Sequence, residues 1–185
     1  MTQEIKAIET GRLRLVSLSL GCLEAMLRGD HAAAGELGGF IVAPDCSLLR
    51  MPWIERRMDM ILKDPAQHPW MYRAIVESES GAMVGHISFH HMAPDPDLLD
   101  YSANAVELGY TIEGAYRRRG YARESVSAMM DWAKRQGVRS FFLSIGPWNT
   151  PSLKLAESLG YMKIDEKMDE IDGLEYLFKA GFEDQ

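Results

Sequence analysis

Apolar residues fall into two rhythms along this chain. "GRLRLVSLS", residues 11–19, alternates apolar and polar after a glycine, which predicts a first strand. Residues 20–37 and 47–63 repeat at helical spacing instead; in the second, Leu48, Leu49, Trp53, Met58 and Ile61 share a face. "WMYRAIVES" and "MVGHISFHH" predict two strands joined by "ESGA", a hairpin signal. Residues 92–105 form a loop of a length uncommon without a purpose. Residues 106–113 alternate again as a strand. Arg123 to Gln136 reads as a helix, with Val126, Met129, Met130 and Ala133 on its apolar side and Gly137 as terminator. "SFFLSI", 140–145, is a buried-type strand stopped by Gly146-Pro147. "NTPSLKLAESLG" predicts a short helix with Pro151 in its first turn and Gly160 past its end. Two last strands, 161–169 and 174–180, flank the hairpin dipeptide Asp172-Gly173. The order predicts a single α/β (α+β) domain, a mixed sheet of about seven strands flanked by about four helices.

Composition narrows the function. The chain has 185 residues, 46% apolar and 25% charged, ordinary for a globular domain with a sizeable core. No stretch approaches the roughly 20 apolar residues of a membrane span. The opening residues lack a signal-peptide pattern. Cys22 and Cys46 are too few for a disulfide framework and lack metal-ligand spacing, so both are expected to be reduced thiols of a cytoplasmic protein. A net charge of −7 argues against nucleic-acid binding and mildly favours cationic partners, though it also serves solubility.

The candidate chemistry begins at "VELGYTIEGAYRRRGYARESV", residues 106–126. The first N–H groups of a helix have no internal partner, and the helix dipole makes that end partly positive. Gly120 lets a ligand approach the backbone and Ala122 keeps the approach uncrowded. Amides from about Arg118 to Arg123, including those of Arg119 and Tyr121, could ring an anion, with Arg117 and its neighbours adding charge. The same pattern also fits a basic turn capping a helix. It is neither a Walker loop nor a dinucleotide fingerprint.

These residues resemble the acetyl-CoA-binding motif of the GNAT superfamily of N-acetyltransferases, Arg/Gln-x-x-Gly-x-Gly/Ala, met by Arg117, Gly120 and Ala122. "NTPSLKLAESLGY" is similar to a second family segment, met by Asn149, Ser152, Glu157, Gly160 and Tyr161. "VELGY" and "DGLEYLFKA" resemble the branch that includes ribosomal-protein N-terminal acetyltransferases. The resemblance implies a mostly antiparallel twisted sheet, splayed between its fourth and fifth strands, here 106–113 and 140–145, with pairing ending near Gly146-Pro147. It implies that the pantetheine arm of acetyl-CoA pairs with backbone near Tyr110 and Ile112, that an amide near Tyr110 polarises the acetyl carbonyl, and that Asn149 and Ser152 bond the cofactor. Asn149 also suits a helix cap.

The implied reaction is direct attack of a primary amine, of a peptide or a small molecule, on the thioester. Being neutral at pH 7 costs a lysine-like amine roughly 4.6 kcal/mol but a peptide α-amine only about 1–1.4 kcal/mol. Glu107 is the expected base, unless it is a solvated strand-edge residue. His86 and His90, four apart on one strand, could line the acceptor pocket or relay protons; equally they are partly buried sheet residues, and no metal site follows from them. Where many family members carry a tyrosine acid the chain has Ala156; Ser152 is the nearest substitute, and Tyr161 fits the family's core aromatic. Acceptor choice is expected in residues 20–60 and 92–105, where Asp95, Asp97 and Asp100 could attract a cationic substrate; equally they are a solvated loop. A non-catalytic acyl-CoA-binding or regulatory module, monomer or homodimer, is the alternative.

Overall fold

The computed structural model describes residues 5–46, 53–169 and 173–181; Leu48, Leu49 and Asp172 lie outside them. The chain separates into two compact units: Met1–Ser88 with Tyr110–Met129, and Phe89–Gly109 with Met130–Gln185.

In the first unit, β1 (Ile8–Glu9), β2 (Leu13–Ser17), β3 (Arg73–Glu77) and β4 (Met83–Phe89) form an antiparallel ladder in that order. The sequence reading misses β1, because a two-residue strand has no period to detect. It also draws one helix over 20–37, where the structure has two, α1 (Leu20–Leu27) and α2 (His31–Gly38). The break is chemical. Gly29 takes a φ of +69° that ends α1, and Asp30 then caps α2 by accepting the Ala33 amide. α3 (Ile54–Lys63) follows and buries Ile54 and Ile61. Leu18, Leu23, Met26, Ile54, Ile61, Met71 and Val76 belong to one apolar cluster of this unit. Trp70, read as strand, sits instead in a 3-10 turn, Pro65–Trp70, which Pro65 starts.

β5 (Ala105–Ile112) begins in the second unit and ends in the first, while α4 (Tyr121–Arg135) does the reverse. The face read from α4's spacing is the buried one: Val126, Met129 and Ala133 are 0% exposed and Met130 6%. Within the second unit β5 pairs β6 (Ser140–Ile145) in parallel. β8 (Gly173–Gly181) lies antiparallel to both β6 and β7 (Met162–Asp169). A small core joins Leu98, Ala105, Phe142 and Leu177, with Tyr101 against it. α5 (Thr150–Ser158) leaves β6 through Gly146-Pro147. The described residues thus give a mixed, mostly antiparallel α/β chain with eight strands and five α-helices. No helix among them is long and apolar enough to cross a membrane.

The divergence of β5 from β6 is present. Their ladder covers only Ala105–Glu107 against Ser140–Phe142, although β6 runs on to Ile145 and pairs β8 throughout. It stops well before Pro147, so the proline is not what ends it. It stops where the Glu107 carboxylate takes up the Ser144 hydroxyl.

Candidate functional site

The turn before α4 lies wholly in the first unit. A 3-10 turn, Gly114–Tyr116, leads into Arg117 in extended conformation; Arg118 then takes φ +64° and Gly120 φ +83°. This sequence of conformations aims successive amides outward. Among the described residues, no protein acceptor meets the amides of Arg118, Arg119, Gly120, Tyr121 or Ala122, whereas the Glu124 amide resumes the helical pattern by donating to the Gly120 carbonyl at 3.1 Å. A side chain at Gly120 would be strained by the positive φ, and its Cβ would lie 3.4 Å from the Arg12 guanidinium.

The three arginines do not act alike. Arg117 Nε donates to the Ile112 carbonyl at 3.0 Å and so braces the turn against β5. Arg119 donates to the Ala115 carbonyl at 3.3 Å and lies over the Tyr116 ring. The Arg118 side chain is exposed and, among the described residues, has no protein partner. One carboxylate on α4's first turn would repel an anion, but it is tied down. Glu124 accepts from Thr10 Oγ1 at 2.6 Å, from the Arg12 amide at 2.9 Å and from the Arg12 guanidinium at 2.7 Å. Burial would raise its carboxyl; these bonds outweigh that and lower it. Tyr121 directs its hydroxyl to Glu77.

The Glu113 amide donates to the Val84 carbonyl at 2.9 Å, so odd-numbered residues of this part of β5 turn their backbone toward β4. Tyr110 and Ile112, of opposite parity, turn theirs to the other edge. That is the edge expected for a cofactor arm, but the Ile112 carbonyl already serves Arg117. β4 and β5 come close at Gly85, where a Cβ would lie 2.1 Å from the Thr111 carbonyl oxygen.

The second unit holds Glu107, 9% exposed. Its Oε2 lies 3.6 Å from His90 Nδ1, an ion-pair distance. Burial alone would raise the carboxyl; His90, the Ser144 hydroxyl and the Lys167 ammonium outweigh it and bring it down from 4.5 to about 2. A carboxylate held this low takes up a proton reluctantly. Ser144 and Lys167 are absent from the sequence reading; Ser144 interrupts the apolar run 141–145 of β6, a slight trace of its role. The two histidines differ in setting. The His90 side chain is 39% exposed. His86, in the first unit, is 3% exposed and packs edge-on to Tyr72; burial lowers its imidazole to about 4. His86 is therefore a neutral interior residue and not part of an open pocket wall.

Asn149 caps α5, its side chain accepting the Ser152 amide at 3.3 Å. Ala156 is fully buried. Tyr161 is buried, its hydroxyl 3.4 Å from Met130 Sδ, as befits a core aromatic. Cys22 and Cys46 are buried and form no disulfide; burial raises Cys22 to about 11, far from an activated nucleophile.

A helix-opening turn with unused amides, following a strand that leaves its parallel neighbour, is a distinctive combination. The acetyltransferase (GNAT) domain family matches residues 25–162. The chain belongs to this GNAT family. It is 26% identical over 159 residues to YjdG, an uncharacterised N-acetyltransferase of Bacillus subtilis, covering 84% of this chain and 89% of that protein. A GNAT-family acetyltransferase of Bordetella pertussis has the same fold, with TM-score 0.62 and 24% identity over 94% of this chain and 98% of that one. A Salmonella typhimurium acetyltransferase solved with acetyl-CoA superposes with TM-score 0.54 and 21% identity, covering 71% and 75%.

Proposed function

We propose that this GNAT protein transfers an acetyl group from acetyl-CoA to a primary amine, by direct attack of the amine on the thioester. One observation carries the reading: the amides of Arg118 to Ala122, five in a row, have no protein acceptor among the described residues. Charge-assisted hydrogen bonds are worth roughly 1.5–3 kcal/mol each, so three or four of them hold a diphosphate. The residues fit that group. Glu124 is neutralised by Arg12, Gly120 carries no Cβ, and Arg118 is left to face solvent. That a relative by fold was solved with acetyl-CoA supports the choice of acyl donor.

The remaining residues have separate tasks. The Tyr110 backbone, turned from β4, would polarise the acetyl carbonyl. Asn149 fixes the start of α5. The Glu107–His90 pair would receive the amine's proton, Glu107 staying ionised and orienting the imidazole. An α-amine suits this modest apparatus better than a lysine-type amine, whose deprotonation costs several kcal/mol more. The missing acid at Ala156 matters little when the leaving thiol has a pKa near 8.5.

The test is acetyl-CoA turnover against a panel of amines and short peptides, read as free-thiol release, with CoA affinity measured in parallel. Gly120→Asp is expected to abolish CoA binding while the fold persists by circular dichroism. Unchanged affinity in the folded variant would overturn the placement of the diphosphate. Tight CoA binding with no thiol release against any amine would favour the non-catalytic reading.

A further inference from the structure

The loop between β4 and β5 gathers three donors that the sequence keeps apart. One donor atom each from His91, Asp95 and Asp97 lies within 4.8 Å of the other two. Asp95 is 1% exposed. Its Oδ1 accepts the Asp97 amide at 3.0 Å, but its Oδ2 is buried with no hydrogen-bond partner among the described residues. A buried carboxylate oxygen without a donor is costly, on the order of 1–3 kcal/mol or more. Asp97, by contrast, has a side chain 70% exposed, so the cluster is open on that side.

We propose that His91, Asp95 and Asp97 form a site for one divalent cation of the zinc and manganese class. Distance separates this from the capture of an ammonium group. His91 Nε2 and Asp97 Oδ2 are 3.6 Å apart, too long for a hydrogen bond. Two ligands about 2.1 Å from a shared ion subtend about 120° at that separation, close to what a zinc centre accepts. Two acceptors about 2.8 Å from an ammonium nitrogen would subtend only about 80°, far from tetrahedral. The donor set, one imidazole and two carboxylates, suits borderline cations better than calcium or magnesium, which prefer oxygen alone. Three protein ligands leave at least one position for water. The ion supplies the partner that Asp95 Oδ2 lacks. It also pins the loop to the first residue of β5, because the Asp95 amide donates to the Ala105 carbonyl at 3.0 Å. The spacing His91-x3-Asp95-x-Asp97 matches no common motif, which is why the sequence does not announce it.

The experiment is zinc titration of untagged protein by calorimetry, with a thermal melt alongside. One saturable site per chain is expected, with a rise in melting temperature on adding zinc. Asp97→Asn, at an exposed position, should fold normally and weaken zinc at least tenfold. Asp95→Asn should do the same but also removes a buried charge from the interior, so Asp97→Asn and His91→Gln decide. Cobalt substitution gives a second readout: visible absorption expected in the parent and lost in His91→Gln. No saturable zinc binding, binding unchanged in both deciding variants, or equal affinity for magnesium or calcium would each overturn the proposal.

Discussion

Glu107→Gln should change acid stability in a way the structure fixes in sign and size. The carboxyl sits at about 2 in the folded chain against an ordinary 4.5. A depressed acid stabilises the fold above its unfolded pKa, and that contribution is lost as pH falls from 4.5 toward 2. The gap of about 2.5 units corresponds to about 3 kcal/mol, and the side chain is only 11% exposed, so little of it is screened away. The glutamine keeps the shape and can still accept from Ser144, but it cannot ionise. At pH 7 the variant should therefore be less stable by up to about 3 kcal/mol, or about 1–2 M in urea midpoint. Near pH 3 most of that difference should be gone. Urea melts followed by tryptophan fluorescence at pH 7, 5, 4 and 3 give the comparison, since carboxylates remote from Glu107 titrate alike in both proteins, and Asp95, whose carboxyl Glu107 helps to raise, is the neighbour that does not. A difference that stays constant across this range would refute the reasoning.

Gly85→Ala should cost at least about 3 kcal/mol or prevent folding, because its Cβ would sit 2.1 Å from a backbone oxygen that cannot step aside; a denaturation midpoint near the parent's would contradict the close approach. Arg73 is fully buried and donates to the carbonyls of Lys6, Leu15 and Pro69, so Arg73→Lys, with fewer and differently placed donors, should lose about 3 kcal/mol in urea melts. Glu124→Ala should lose about 2 kcal/mol by releasing Thr10 and Arg12, with CoA affinity unchanged or improved at low salt, measured by calorimetry.

Local signals carried most of the secondary structure. The α4 face, the bounds of β6 and the α5 start from Asn149 through Pro151 follow from period and caps that act within a few residues. The boundary between α1 and α2 was also written locally, in Gly29-Asp30, but an apolar period spanning both helices masks it. What the sequence does not carry is register and side-chain commitment. Period two predicts that β5 is a strand, yet not that its parallel ladder ends at Glu107. The three arginines read as one basic block, although two of them spend donors on Ile112 and Ala115. Glu107 was legible as a residue of interest from the family resemblance. Its depressed carboxyl was not, because Ser144 and Lys167 reach it from strands far along the chain.

The clasp of Thr10 and Arg12 on Glu124 makes the amino-terminal hairpin a counter-ion for a helix more than a hundred positions away. Shortening the protein to begin at Leu13 would strip four hydrogen bonds and a full positive charge from that glutamate, leaving a bare anion beside the turn proposed to hold the diphosphate. Weak coenzyme binding by such a trimmed version would then report electrostatic repulsion, and raising the ionic strength should partly restore it.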